Sequence, residues 1–181
     1  SSNVTGATLG LIGFGRIAQA MARKAHHGFD MNIIYFNPSP ASEYVVDDLQ
    51  AIRCANLEEL LQKSDFVSLH CPGNAETKHL INSDTLKLMK PSAHLINTAR
   101  GDVVDTQALI NALKNQQIAG AGLDVYEGEP NVPDELLTLD NASLLPHLGS
   151  ATLSTRTAMG EKALTNLNAF FAGKPLPDQV I

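Results

Sequence analysis

The sequence predicts an α/β fold: a doubly wound parallel sheet in three layers, helix on sheet on helix. Three observations predict it. Short apolar runs alternate with stretches of helical period along almost the whole chain. The strand-like runs are apolar nearly throughout, as strands covered on both faces are. The first of them ends in glycines and leads directly into a helix.

The elements follow in order. "ATLGLIGFG" (7–15) is a buried strand running into glycines. Residues 16–27 place Ile17, Ala18, Met21, Ala22 and Ala25 at helical spacing. "MNIIYFN" (31–37) is a strand, stopped by Pro38 and Pro40. "AIRCA" (51–55) is a short strand, and 56–64 a helix with Asn56 as N-cap and Glu59 three residues later. "DFVSLHC" (65–71) is a strand ended by Pro72-Gly73. A short helix at 83–89 starts behind Ser83 or Asp84. "AHLINTA" (93–99) is a strand, and 105–117 a helix with Leu109, Ile110 and Leu113 on its apolar face. Residues 118–125 form a strand of small residues, and 141–149 hold another short strand. The last helix, 152–173, stops at Gly173.

At 181 residues, 44% hydrophobic and 18% charged, the chain suits one domain with a sizeable core. Thirteen basic and nineteen acidic residues leave a formal charge of −6 with no basic run, which argues against a nucleic-acid partner. No apolar run is long enough to span a membrane, and "SSNVTG" does not read as a signal peptide. Cys54 and Cys71 lack metal-type spacing. Reduced core thiols, a cytoplasmic location and no metal site are the expectation.

Gly13, Gly15 and Ala18 form a G-x-G-x-x-A pattern between the first strand and the first helix. In that context the pattern predicts a Rossmann-type dinucleotide site. Gly13 permits the tight turn, Gly15 lets a pyrophosphate approach the backbone, and Ala18 lets helix pack on strand. The helix N-terminus then offers N–H groups and partial positive charge to the phosphates. The bland alternative is a tight turn without ligand. An acid at the end of the second strand is expected for NAD. That position, nineteen residues past Ala18, is Asn37. Asparagine hydrogen-bonds a ribose without repelling a 2′-phosphate, and Ser39 offers such a phosphate a donor. No arginine or lysine lies between Lys24 and Arg53 to clamp it. The pocket reads as permissive, with NADP(H) favoured and NAD(H) possible.

Arg100, Glu129 and His147 each follow a predicted strand. Loops at the carboxyl ends of parallel strands line the ligand crevice, so all three project toward the glycine turn. The alternatives are structural. Arg100 could pair with Asp102 or Asp105, Glu129 could be solvated in its turn, and His147 could be a loop histidine. Of the others, His26, His27, His79 and His94 read as surface or packing residues, and His70 as a neighbour of the cofactor.

The stretches "LGLIGFGRIAQAMA", "DFVSLHCPGNAETKHLIN", "LINTARGDVVD", "AGAGLDVYEGEP" and "LLPHLGSATLSTR" cover almost the whole chain in order. In them the chain resembles the D-isomer-specific 2-hydroxyacid dehydrogenases. "AHHGFDMNIIYFN" is similar to the glyoxylate/hydroxypyruvate reductase and 2-ketogluconate reductase branch. The resemblance implies roles. Arg100 binds the substrate carboxylate, Glu129 orients the histidine, and His147 donates the proton. Gly13, Phe14, Gly15, Arg16, Ile17, Asn37, Pro38, Ser39, Cys71, Pro72, Thr98 and Ala99 line the cofactor, with Arg100 and His147 also at it. Asp124 and Ser150 lie at its nicotinamide end. A homodimer is also implied.

The chemistry is consistent with this. A 2-oxo acid offers a planar carboxylate, which arginine's fork of donors matches. Reduction of its carbonyl needs a proton, which histidine holds near neutral pH. A neighbouring carboxylate raises that histidine's pKa. The resemblance further implies a substrate domain built mostly from an N-terminal segment that this chain lacks. Residues 1–173 would then be the dinucleotide-binding domain and 174–181 a C-terminal return. The isolated chain is expected to bind NADP(H) or NAD(H) and to reduce glyoxylate poorly. A non-catalytic dinucleotide-binding module is the other reading.

Overall fold

A computed structural model describes residues 3–180. Ser1 and Ser2 of the expected domain, and Ile181 of the expected return, lie outside the described residues. The chain divides into two compact units, Ser1–Pro146 and His147–Ile181.

The first unit carries the sheet. Its strands are β1 (Thr8–Ile12), β2 (Asn32–Phe36), β3 (Ile52–Arg53), β4 (Phe66–Leu69), β5 (His94–Asn97), β6 (Gly120–Leu123) and β7 (Ala142–Leu144). All pair in parallel, in the order β3-β2-β1-β4-β5-β6-β7. The strand order reverses between β1 and β4, and that reversal opens a crevice at their carboxyl ends. The helices are α1 (Arg16–Phe29), α2 (Glu43–Leu49), α3 (Leu57–Lys63), α4 (Ser83–Leu86), α5 (Thr106–Lys114) and α6 (Asp134–Leu137), with a 3-10 turn at Gly101–Val103.

Alternation along each strand makes the three layers. Leu9 and Leu11 of β1, with Ile33 and Tyr35 of β2, join Ala18, Ala22 and Ala25 of α1 in one buried cluster. Ile12 and Ile34 face the other way, into a larger cluster with Leu60, Val67, Leu69, Leu95, Leu109 and Leu113. Each such aliphatic side chain, fully buried, contributes roughly 1.5–3 kcal/mol. The three alanines leave no bulk on the inner face of α1, so the helix lies close on β1 and its N-terminus sits at the end of that strand.

Some elements depart from expectation. The helices α2 and α6 are not evident in the sequence. The cap of α4 is Asn82, whose side chain accepts from Asp84 and Thr85 N–H in a capping box, rather than Ser83 or Asp84. Asn56 caps α3 as expected, accepting from Glu59 N–H at 2.8 Å. The helix expected over 105–117 ends at Lys114. Both cysteines are buried free thiols.

The second unit is α7 (Leu153–Phe171) and its flanks. Thr152 caps it, accepting from Thr155 N–H at 3.2 Å. Gly173, at φ +65°, follows its end. The tail folds back on the helix: Asp178 accepts from Asn166 Nδ2 at 2.9 Å and pairs with Lys162 at 2.6 Å. Among the described residues no helix is long and apolar enough to cross a membrane. No cluster of three or more His, Cys, Asp or Glu suited to a metal occurs among them.

Candidate functional site

The glycine turn is built from both neighbouring strands. Gly13 adopts φ +84°, and its N–H donates to Phe36 O at 2.9 Å. A Cβ there would stand 2.8 Å from Cys71 N and His70 C. Gly15 is different: nothing lies within 4 Å of the Cβ it lacks. Gly15 is the N-cap of α1 and no side chain caps the helix, so its terminus is left for a ligand's acceptors. The Phe14 ring is buried, stacked on Tyr35 at 4.1 Å, so only its backbone can meet a ligand. Asn37 braces the turn. Its Oδ1 accepts from Phe14 N–H at 3.1 Å, and its Nδ2 donates to Ser39 O at 2.9 Å.

These residues open onto a cavity of about 460 Å³, within the range of small-molecule sites. Gly13, Phe14, Gly15, Asn37 and Pro38 form one wall; His70, Cys71 and Pro72 form another. Open space beside Gly15 and an uncapped helix terminus fit a pyrophosphate. Arg16, Ile17 and Ser39 are exposed and do not line this cavity. Burial pushes the His70 imidazole below its ordinary pKa, and its Nε2 sits 2.9 Å from Ser68 Oγ. Burial likewise pushes the Cys71 thiol up, so it stays protonated.

Further along the same edge, β5 and β6 carry the predicted polar residues. Asn97, 1% exposed, is the residue that sequence reasoning missed here. Its Oδ1 accepts from Ala99 N–H at 3.0 Å and its Nδ2 donates to Arg100 O at 2.9 Å. It thereby sets the loop that exposes Thr98 and Arg100. The only signal in the sequence was an amide ending an apolar run. Arg100 Nη1 donates to Ala99 O at 2.6 Å. No carboxylate among the described residues pairs with Arg100, so the structural alternative, a pair with Asp102 or Asp105, is not formed. Behind it, a Cβ on Gly101 would fall 2.0 Å from Tyr126 C and 2.1 Å from Tyr126 O. The loops after β5 and β6 therefore cross in direct backbone contact.

Asp124 is buried, and its N–H donates to Asn97 O at 2.9 Å. Glu129 is exposed, and its Oε1 accepts from Tyr126 N–H at 2.9 Å. The Tyr126 hydroxyl donates to Leu145 O at 2.7 Å. Its pKa is raised by burial first, with the Asp124 and Glu129 carboxylates adding to the rise.

His147 and Ser150 belong to the second unit. Both are exposed and both are left-handed, at φ +55° and +61°. Such backbone costs about 1–3 kcal/mol at a non-glycine residue and concentrates at functional sites.

The model of the D-isomer specific 2-hydroxyacid dehydrogenase, NAD binding domain, matches residues 1–149. The chain is 51% identical over 175 residues to a glyoxylate reductase from Pyrococcus furiosus, covering 97% of this chain and 51% of that protein. It superposes on holo D-mandelate dehydrogenase from Rhodotorula graminis with a TM-score of 0.96, at 39% identity, over 99% of this chain and 52% of that one. An NADPH-dependent glyoxylate/hydroxypyruvate reductase from Sinorhizobium meliloti, solved with NADP and malonate, gives 0.85 at 39% identity, over 97% and 56%. The chain thus spans about half the length of the relatives it matches. By its sheet order, its glycine turn and these matches, the chain belongs to the D-isomer specific 2-hydroxyacid dehydrogenases, as their NAD binding domain.

Proposed function

We propose that this chain is the cofactor-binding half of a reductase that converts a small 2-oxo acid, such as glyoxylate or hydroxypyruvate, to the D-2-hydroxy acid. NADPH is the favoured reductant and NADH the alternative. The observation that carries the proposal is that one sheet edge presents both an open phosphate cradle at Gly15 and an arginine, Arg100, without a carboxylate partner. The names of the relatives support the substrate class.

The bound nicotinamide supplies the hydride. Arg100 anchors the substrate carboxylate through its planar fork and draws electron density from the carbonyl. His147 donates the proton to the carbonyl oxygen as charge develops there, and takes it back in the reverse direction. Glu129 takes the role of orienting the histidine. Asp124 sits at the nicotinamide end. Gly13, Gly15, Asn37, Pro38, Cys71 and Pro72 hold the rest of the dinucleotide.

Titration of NADPH fluorescence with the 181-residue chain tests the binding step, and saturable enhancement or quenching is expected. Turnover is tested on the protein carrying this domain together with its substrate half. Arg100→Lys there is expected to lower kcat/KM for glyoxylate roughly 100-fold, through loss of the bidentate contact. Cofactor binding without reduction of any 2-oxo acid would instead mark a non-catalytic module. A homodimer in the cytoplasm completes the proposal, without nucleic-acid or membrane partners. It is supported by exposed Leu164, Leu167, Phe170 and Phe171 on α7, by the free thiols and by the acidic net charge.

A further inference from the structure

The sequence places no arginine or lysine between Lys24 and Arg53, and so none in the loop after β2. The sheet supplies one from outside that loop. β3 pairs with β2 in a register that sets Arg53 beside Tyr35. The Arg53 side chain then runs along the end of β2. Its Nε donates to Asn37 O at 3.3 Å, and its Nη2 donates to Asn37 O at 3.0 Å and Pro38 O at 2.8 Å. Asn37 and Pro38 line the cavity, and the Asn37 amide carries Ser39 Oγ at 3.3 Å. Arg53 is exposed, and among the described residues no carboxylate pairs with it and its Nη1 makes no hydrogen bond. A full positive charge is therefore pinned, with donors to spare, where the adenosine ribose of a dinucleotide lies.

We propose that Arg53 is a specificity-determining residue that binds the adenosine 2′-phosphate of NADPH, so that cofactor choice is set from the edge strand β3. The inference rests on the dinucleotide-binding reading above. Anchoring on two carbonyls fixes the guanidinium before the ligand arrives, which lowers the ordering cost of binding. The 2′-phosphate is a dianion that the uncommitted Nη1 of Arg53 can meet alongside the Ser39 hydroxyl.

The test is a titration of the 181-residue chain with NADPH and NADH, and with 2′,5′-ADP and 5′-AMP as probes of the adenosine end alone. Arg53→Gln is expected to weaken NADPH and 2′,5′-ADP roughly 10- to 100-fold while NADH and 5′-AMP change by less than about two-fold. Arg53→Lys, which keeps the charge and loses the anchorage on two carbonyls, is expected to fall between. Equal weakening of all four ligands would mean that Arg53 only braces the loop, and unchanged NADPH affinity would place the phosphate elsewhere. Either result overturns the proposal. An unsubstituted chain that binds neither dinucleotide fails differently, because it removes the cofactor reading itself.

Discussion

Gly13 and Gly15 stand two residues apart and do different work. At Gly13 a side chain would need a left-handed backbone and would press on Cys71 N and His70 C. Gly13→Ala is expected to destabilise the chain by about 2 kcal/mol or more, read as a drop in Tm. At Gly15 a methyl group meets no protein atom and φ is −78°. Gly15→Ala should hold stability within about 0.5 kcal/mol while weakening NADPH binding at least ten-fold, by occupying the phosphate's approach. Melting curves beside cofactor titrations check both, and a Gly15→Ala chain with unchanged affinity would contradict the site. The two glycines are legible in the sequence because the pattern names their places. The bracing by Asn37 is not, because it depends on a hydrogen bond to Phe14 across 23 residues. Asn37→Ala should therefore weaken NADH as well as NADPH, unlike Arg53→Gln.

Among the elements, even short ones such as β3, α3, α4 and β7 are readable where an apolar run or a capping residue marks them, whereas α2 and α6 are not. α2 buries only Val45 and Leu49 and follows a proline-rich stretch without a side-chain cap bond, so no helical period stands out. α6 is four residues with one buried side chain, Leu136. The strand β4 makes a prediction at this scale. His70 follows it, and burial holds the folded imidazole's pKa below its unfolded value of about 6.5. Below that pH the unfolded chain binds a proton that the folded chain resists, so stability is complete above about pH 6.5 and falls as pH drops through it. At the other end of β4, burial works to raise the Asp65 carboxyl's pKa, but Lys90 and Thr8 N–H outweigh it and lower the value. Its contribution is present above the ordinary aspartate range near 4 and is lost as pH falls through the lower folded value. Urea midpoints between pH 7.5 and pH 5.5 should decline, and His70→Gln should flatten that decline without touching the steeper loss at lower pH.

For the molecule as a whole, a ligand that binds only the folded chain must stabilise it. NADPH at about 100 times its Kd should add about 2.7 kcal/mol, a rise of roughly 5–10 °C in Tm for a chain of this size. No rise at saturation would deny the cradle its ligand. The parallel sheet and the crevice at its carboxyl edge were legible because the alternation, the apolar strands and the glycine turn leave few topologies, whereas the strand order came from the structure. What was hidden lies between segments far apart in sequence: the reach of Arg53 to the end of β2, and the crossing of Gly101 beneath Tyr126. That crossing bears on engineering. The Arg100 loop and the Glu129 loop are interlocked through their main chains, so neither is an independent module. Chimeras that import one of them from a relative should misplace both, whereas transplanting residues 97–104 and 124–130 together keeps the interlock and lets new substrate preferences be built on this sheet.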